Sequence, residues 1–170
     1  MIKTVMQEAF NKQITKEMFS SNLYLSMAAY FQESNLNGFA NWMRIQAQEE
    51  MSHALKFFDY LLNRNGQPCI SAIEAPQKNW LNPLDCFESA LHHEEMITES
   101  INDLADLAIK EGDHASLILL QWFVNEQVEE EATSNEIVDR LKLAGDSKSG
   151  LFILDNELKQ RVFVPEPTAK

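Results

Sequence analysis

Four glutamates stand where apolar side chains are expected. Positions seven apart on a helix share a face, and Glu17 lies between Phe10 and Tyr24, Glu50 between Met43 and Phe57, Glu94 between Phe87 and Ile101, and Glu130 between Phe123 and Ile137. Each acid interrupts a stripe that otherwise reads as core. Burying an unpaired carboxylate costs several kcal/mol, and gathering like charges adds to that cost, so such acids must be protonated, matched by bases or bound to a cation. The stripes contain no Lys or Arg, which leaves a metal ion as partner. One turn after Glu50, His53 adds an imidazole. Carboxylates with a single imidazole suit iron or manganese better than zinc, which favours compact Cys and His sites. They also leave coordination positions open for oxygen. Any one of these acids alone would read as a boundary residue with its carboxylate in water, and Glu-x-x-His alone is equally weak. The weight lies in four inward acids at one level.

That level depends on the elements that carry them. Helical apolar spacing persists from about Val5 to Glu33, Gly38 to Asn65, Pro83 to Glu111 and Asp113 to Leu143. Ser34-Asn35-Leu36-Asn37 makes a short turn, Asn82-Pro83 is an N-cap followed by proline at the first helical position, and Gly112 and Gly145 suit helix C-termini. Counted from the turn near 35, Glu17 lies as far back as His53 lies forward. Counted from Gly112, Glu94 and Glu130 are likewise equidistant. Glu17 and Glu50 are 33 residues apart, as are Glu94 and Gln127. Two antiparallel hairpins therefore present their acids at one height. The link from Gly66 to Asn82 could span about 55 Å when extended, more than the roughly 42 Å length of the second helix, so it is able to cross the whole bundle. A shorter apolar stretch, about 147 to 160, predicts a fifth helix before a tail at 161 to 170.

Composition agrees. The chain has 170 residues, 45% of them hydrophobic, enough for one core, so residues 1 to 170 read as a single all-α domain. Five Gly and five Pro leave long stretches free of helix breakers. A net charge of -12 repels phosphates and argues against nucleic-acid binding, while being compatible with handling cations. The N-terminal run carries charges throughout and no apolar stretch is long enough to cross a bilayer, so a cytoplasmic protein without a membrane anchor is expected. Cys69 and Cys86, with no Cys-x-x-Cys pair, read as free thiols.

Glu17, Tyr24, the run Ala47-Gln48-Glu49-Glu50-Met51-Ser52-His53, Glu94 within His93-Glu94-Glu95, and Gln121-Trp122 with Glu126-Gln127-Val128-Glu129-Glu130-Glu131 together resemble the bacterial non-haem ferritins. The resemblance covers the four long helices and reaches the fifth. It implies a ferritin-like four-helix bundle with one long crossover and iron storage with ferroxidase activity, in which Fe(II) is oxidised to Fe(III) by dioxygen or peroxide. It implies one iron on Glu17, Glu50 and His53 and a second on Glu50, Glu94 and Glu130, with Glu50 shared. A third iron would use Glu49, Glu126, Glu129 and Glu130, Gln127 would orient a ligand by hydrogen bonding, and Tyr24 would be a nearby phenol able to supply an electron. It further implies a homo-oligomeric octahedral shell of twenty-four chains around a ferric oxyhydroxide mineral.

Departures from related families narrow the expectation. Met51 stands where haem-binding bacterioferritins place their haem ligand, but their second Glu-x-x-His is here Gln127-Val128-Glu129-Glu130, so haem is not expected. A rubrerythrin-like protein would need a cysteine-rich electron-transfer domain. The competing reading is a di-iron oxidoreductase or peroxidase that stores nothing. Trp122 reads as core, and His92, His93 and His114, outside the inward stripes, read as solvent-facing. Animal ferritins line three-fold pores with acids early in the fourth helix. Here Leu117 to Leu120 occupy that segment, so iron is expected to enter mainly through the bundle or another pore, with Asp113 the one acid able to form a vestibule.

Overall fold

The structure, a computed structural model, describes residues 1–165. Four long helices, α1 (Thr4–Glu33), α2 (Asn37–Asn63), α3 (Pro83–Glu111) and α4 (His114–Ala144), are followed by the short α5 (Lys148–Leu158). The observed ends lie within a few residues of those the periodicity predicts. Of the expected tail, 161–165 has no regular structure and 166–170 falls outside the described residues.

Local chemistry sets these ends. Asn35 takes a left-handed conformation (φ 58°) and the Leu36 amide donates back to the Phe31 carbonyl, closing α1 and reversing the chain into α2. Asn82 accepts from the Asp85 amide at 2.9 Å, with Pro83 locked at the first turn of α3. Gly112, at φ 63°, ends α3 in the left-handed region that glycine enters without steric cost. Asp113 then caps α4 by accepting from the Ser116 amide. Asp113 is buried and ion-paired with Arg64 at 3.1 Å, so within the chain it tethers the end of α2 to the start of α4. Leu120 is likewise wholly buried in the bundle's own core, which removes it from the set of side chains able to line a pore between chains.

Helices α1 with α2 and α3 with α4 form the two hairpins, joined by the link at 64–82. The link runs along α1 almost from end to end. Gln7 and Asn11 hold it near Gln67 and Cys69, Ser26 holds Gln77, and Tyr30 packs edge-on against Trp80. Two apolar clusters fill the bundle. One, at the α1–α2 turn end, gathers Phe31, Phe39, Met43 and Phe87; the other, at the opposite end, gathers Phe10, Phe57, Ile101 and Phe123, with Phe57 and Phe123 stacked at 4.0 Å. The four glutamates occupy the belt between them. Cys69 and Cys86 are free thiols, and among the described residues no helix is long and apolar enough to cross a membrane.

The fifth helix does a job that its sequence does not announce. α2 lacks a side-chain cap of its own, and Asp155 of α5 supplies one, accepting from the Gly38 amide at 2.7 Å and the Phe39 amide at 3.1 Å. A carboxylate at a helix N-terminus is stabilised both by these donors and by the helix dipole. The approach is possible because residue 38 has no side chain: a Cβ there would sit 1.6 Å from the Asp155 carbonyl oxygen. Gly38→Ala should therefore dislodge α5 and cost about 1–3 kcal/mol. Amide exchange over 148–158, read with the melting temperature, checks this; unchanged protection would mean that α5 is held elsewhere.

Candidate metal centre

Helical register brings Glu17, Glu50, His53, Glu94, Gln127 and Glu130 into the belt between the apolar clusters, each no more than 6% exposed. Glu17, Glu50 and His53 offer ligand atoms that all lie within 4.8 Å of one another, and so do His53, Glu126 and Glu130. His53 stands between the two groups. Its Nδ1 is 3.7 Å from Glu50 Oε2, and its ring is wedged edge-on against Trp122 and Phe123. Such packing restricts the imidazole's rotation.

Hydrogen bonds orient most of the carboxylate oxygens. Gln13, one turn before Glu17, donates from Nε2 to Glu17 Oε1 at 2.8 Å, and Gln46, one turn before Glu50, donates to Glu50 Oε1 at 3.1 Å and Glu130 Oε2 at 2.6 Å. Glu94 accepts from the Tyr24 hydroxyl on Oε1 and from Gln127 Nε2 on Oε2 at 3.1 Å. Glu17 Oε2 is the exception, being buried with no hydrogen-bond partner among the described residues. Its close neighbour is the Glu50 carboxylate, another acceptor. Two facing acceptors can be bridged by a shared proton or by a cation.

The electrostatics say the same. Burial, reinforced by the Glu50 charge, pushes Glu17 up to about 8 from an ordinary 4.5. Burial and Glu50 do the same for Glu94, and burial and Glu94 for Glu130, both to about 8. Glu50, surrounded by the other acids, is driven well above the carboxylate range by burial and then by Glu130. Burial, then Glu94, also raises the Tyr24 phenol, so that at neutral pH it holds its proton as a donor. A belt of acids this hard to ionise keeps its protons until cations replace them, and an oxygen-rich donor set with one imidazole fits iron.

The Ferritin-like domain family matches residues 7–144. Over 161 residues the chain is 45% identical to the bacterial non-heme ferritin of Bacteroides fragilis, covering 95% of this chain and all of that one. It is 39% identical over 158 residues to that of Escherichia coli O157:H7, covering 93% and 96%. The chain belongs to the bacterial non-haem ferritin family. The open-pore ferritin of the archaeon Archaeoglobus fulgidus superimposes with a TM-score of 0.95 at 46% identity, over 95% of this chain and 100% of that one, and an engineered closed form of it with 0.96. Iron storage with ferroxidase activity at di-iron sites inside the bundle is the function of this ferritin.

The structure does not gather all the expected ligands equally. Glu94, with both oxygens hydrogen-bonded, belongs to neither ligand group, although its charge and that of Glu50 act on each other. Glu126 is half-buried and joins His53 and Glu130, whereas Glu129 is exposed and Glu49 is paired with Arg161, and neither falls in a group. The solvent-facing reading of His93 is corrected. His93 is 6% exposed, its Nε2 lies 2.7 Å from Ser20 Oγ, and burial lowers its pKa to about 4, so this ferritin keeps it as a neutral core imidazole. Its position immediately before Glu94 hid this, because the stripe test follows steps of seven and ignores the flank of the buried face. Gln13 and Gln46 were legible in principle, each being one turn before a stripe acid. Arg161 carried no comparable signal.

Proposed function

We propose that this ferritin draws Fe(II) into the glutamate belt, oxidises it there and passes Fe(III) to a mineral enclosed by a shell of twenty-four copies in the cytoplasm. One ferrous ion is assigned to Glu17, Glu50 and His53, and a second to Glu50, Glu94 and Glu130, with Glu50 shared and Gln127 holding Glu94. The observation that carries this reading is Glu17 Oε2, buried without a donor and facing another carboxylate. Each ferrous ion yields one electron to dioxygen or peroxide. The acids favour the product because Fe(III), with its higher charge, gains more from every carboxylate than Fe(II) does. Tyr24, whose hydroxyl donates to Glu94, is assigned the part of a further electron donor.

A third iron is assigned to Glu49, Glu126, Glu129 and Glu130, beside the pair. Half-buried Glu126 and exposed Glu129 are reachable by an ion leaving the belt. Replacing both Glu126 and Glu129 with Ala should leave two irons bound per chain while changing the oxygen consumed per iron. Loss of all iron binding would show that the ligands are divided differently. Native mass measurement after aerobic iron loading tests the storage reading as a whole. The expected particle is a shell with a dense core, whereas a small oligomer that turns over peroxide and retains no iron would support a di-iron oxidoreductase instead.

A further inference from the structure

Arg161 lies three residues beyond the end of α5 and 112 residues from Glu49, yet its guanidinium reaches the rim of the metal centre. Nη2 donates to Glu49 Oε2 at 2.5 Å. Nη1 donates to Gln46 Oε1 at 2.8 Å and to the Trp42 carbonyl at 3.4 Å, and the guanidinium carbon stands 4.4 Å from the Trp42 ring centroid. The side chain is 22% exposed and that of Glu49 25%. The backbone around Arg161 is tied down as well, because Asn41 Nδ2 donates to the Arg161 carbonyl at 3.0 Å.

Gln46 carries this contact inward. A guanidinium only donates, so the oxygen of the Gln46 amide faces Arg161 and its nitrogen faces Glu50 and Glu130. Glu49 is electrically part of the same centre, since its charge raises the pKa of both Glu50 and Glu130. A divalent ion on Glu49 would either displace the guanidinium or, if it took the other oxygen, sit within about 5 Å of it, and the two positive charges would repel. The two occupations of Glu49 oppose each other.

We propose that Arg161 is a built-in cation for Glu49: a metal ion taken by that acid competes with the guanidinium, so filling the third position loosens the segment behind α5. By linkage, undocking that segment strengthens the third position to the same degree. The inference rests on the assignment of Glu49 to the third ion. It makes Arg161 a positioning residue and joins the occupancy of the centre to the docking of the chain's C-terminal segment.

The test uses the assembled full-length protein, Zn²⁺ as a redox-inert probe in calorimetry, and amide exchange over 158–165. In the wild type, the first two ions per chain should leave exchange unchanged and the third should raise it. Arg161→Met should bind the third ion about five-fold tighter, the factor expected for removing a partly exposed competing pair, with a smaller change for the first two ions, whose ligands Glu50 and Glu130 meet Arg161 only through Gln46. In that variant the segment should exchange fast before metal is added and show no response to it. Arg161→Lys should fall between, because one ammonium cannot hold Gln46 and Glu49 as a fork does. Glu49→Gln offers a second route should Arg161→Met fail to assemble: it should speed exchange over 158–165 without metal and abolish the response. Equal third-ion affinity in the wild type and Arg161→Met, or wild-type exchange that ignores the third ion, overturns the inference alone. A wild type that binds two ions and no third overturns the Glu49 assignment with it, and one that binds none overturns the centre.

Discussion

Glu50→Ala should abolish fast iron oxidation, lowering the initial rate at least about a hundredfold, while the apo-protein folds and assembles. Glu50 stands among the other acids. Its pKa is driven upward by burial and by Glu130, and it in turn raises Glu17 and Glu94. As the shared ligand of the proposed pair, Glu50 would help to hold both irons, so its loss takes a donor oxygen from each site. Truncation leaves a small cavity and frees the Gln46 amide of one acceptor, both of which cost stability. Opposing them, truncation removes an acid that is ionised in the unfolded chain at neutral pH and must take up a proton to be buried in the belt. The apo-protein should therefore melt no lower than the wild type at neutral pH, and Glu50→Gln, which keeps the volume, should melt higher. Stopped-flow oxidation of Fe(II) and thermal unfolding of the assembled apo-protein read the two effects separately. An oxidation rate equal to wild type would remove Glu50 from the centre.

Proton release on metal binding is the second large effect. In the folded chain Glu17, Glu94 and Glu130 titrate near 8 instead of 4.5, so at pH 7 they are largely protonated until a cation arrives. With Glu50 raised as well, filling the pair of sites at pH 7 should expel on the order of three to four protons per chain. The number should shrink towards zero as the pH rises above the folded pKa values, and metal affinity should fall as the pH drops below 7. Calorimetry with Zn²⁺ in buffers of different ionisation enthalpy measures both. The same shift fixes the sign for stability without metal. These groups bind protons more tightly folded than unfolded, so their contribution is complete below pH 4.5 and is lost as the pH rises through about 8. The apo-protein should become less stable across that window, the reverse of the usual carboxylate behaviour, and bound metal should cancel the loss. A binding reaction at pH 7 that releases no protons would show that the acids are already ionised and that the belt is balanced by something other than metal.

The acids behind both effects were legible in the linear chain because helices convert spacing into geometry. Glu17, Glu50, Glu94 and Glu130 are found by steps of seven, since that step returns to the same face whatever the helix packs against. Their common height follows from counting out of two turns whose positions Asn35 and Gly112 mark. Covalent spacing could also show that the 64–82 link is long enough to pass along α1, and with it the hairpin pairing. For the same reason the helix ends at Asn82-Pro83 and Gly112 were readable, being decided by a few neighbouring residues.

Contacts between segments far apart in the chain had no such code. Asp155 reaches the α2 N-terminus because Gly38 leaves room for it, and neither residue alone predicts the other. Arg161 meets Glu49 and Gln46 from more than a hundred residues away. The burial of His93 depends on Ser20 of α1 lying opposite it, and that of Leu120 and Asp113 on how tightly the hairpins close. The bundle, its connection and the four inward acids follow from periodicity and chain length, and so could be read from the residues in order. Which oxygens of those acids are already hydrogen-bonded, which of the outer glutamates is held by a guanidinium, and which end of α2 the fifth helix caps emerge only once the helices pack. Those outcomes are set by side-chain packing between helices at a resolution of an ångström or two, which the period of a helix does not encode.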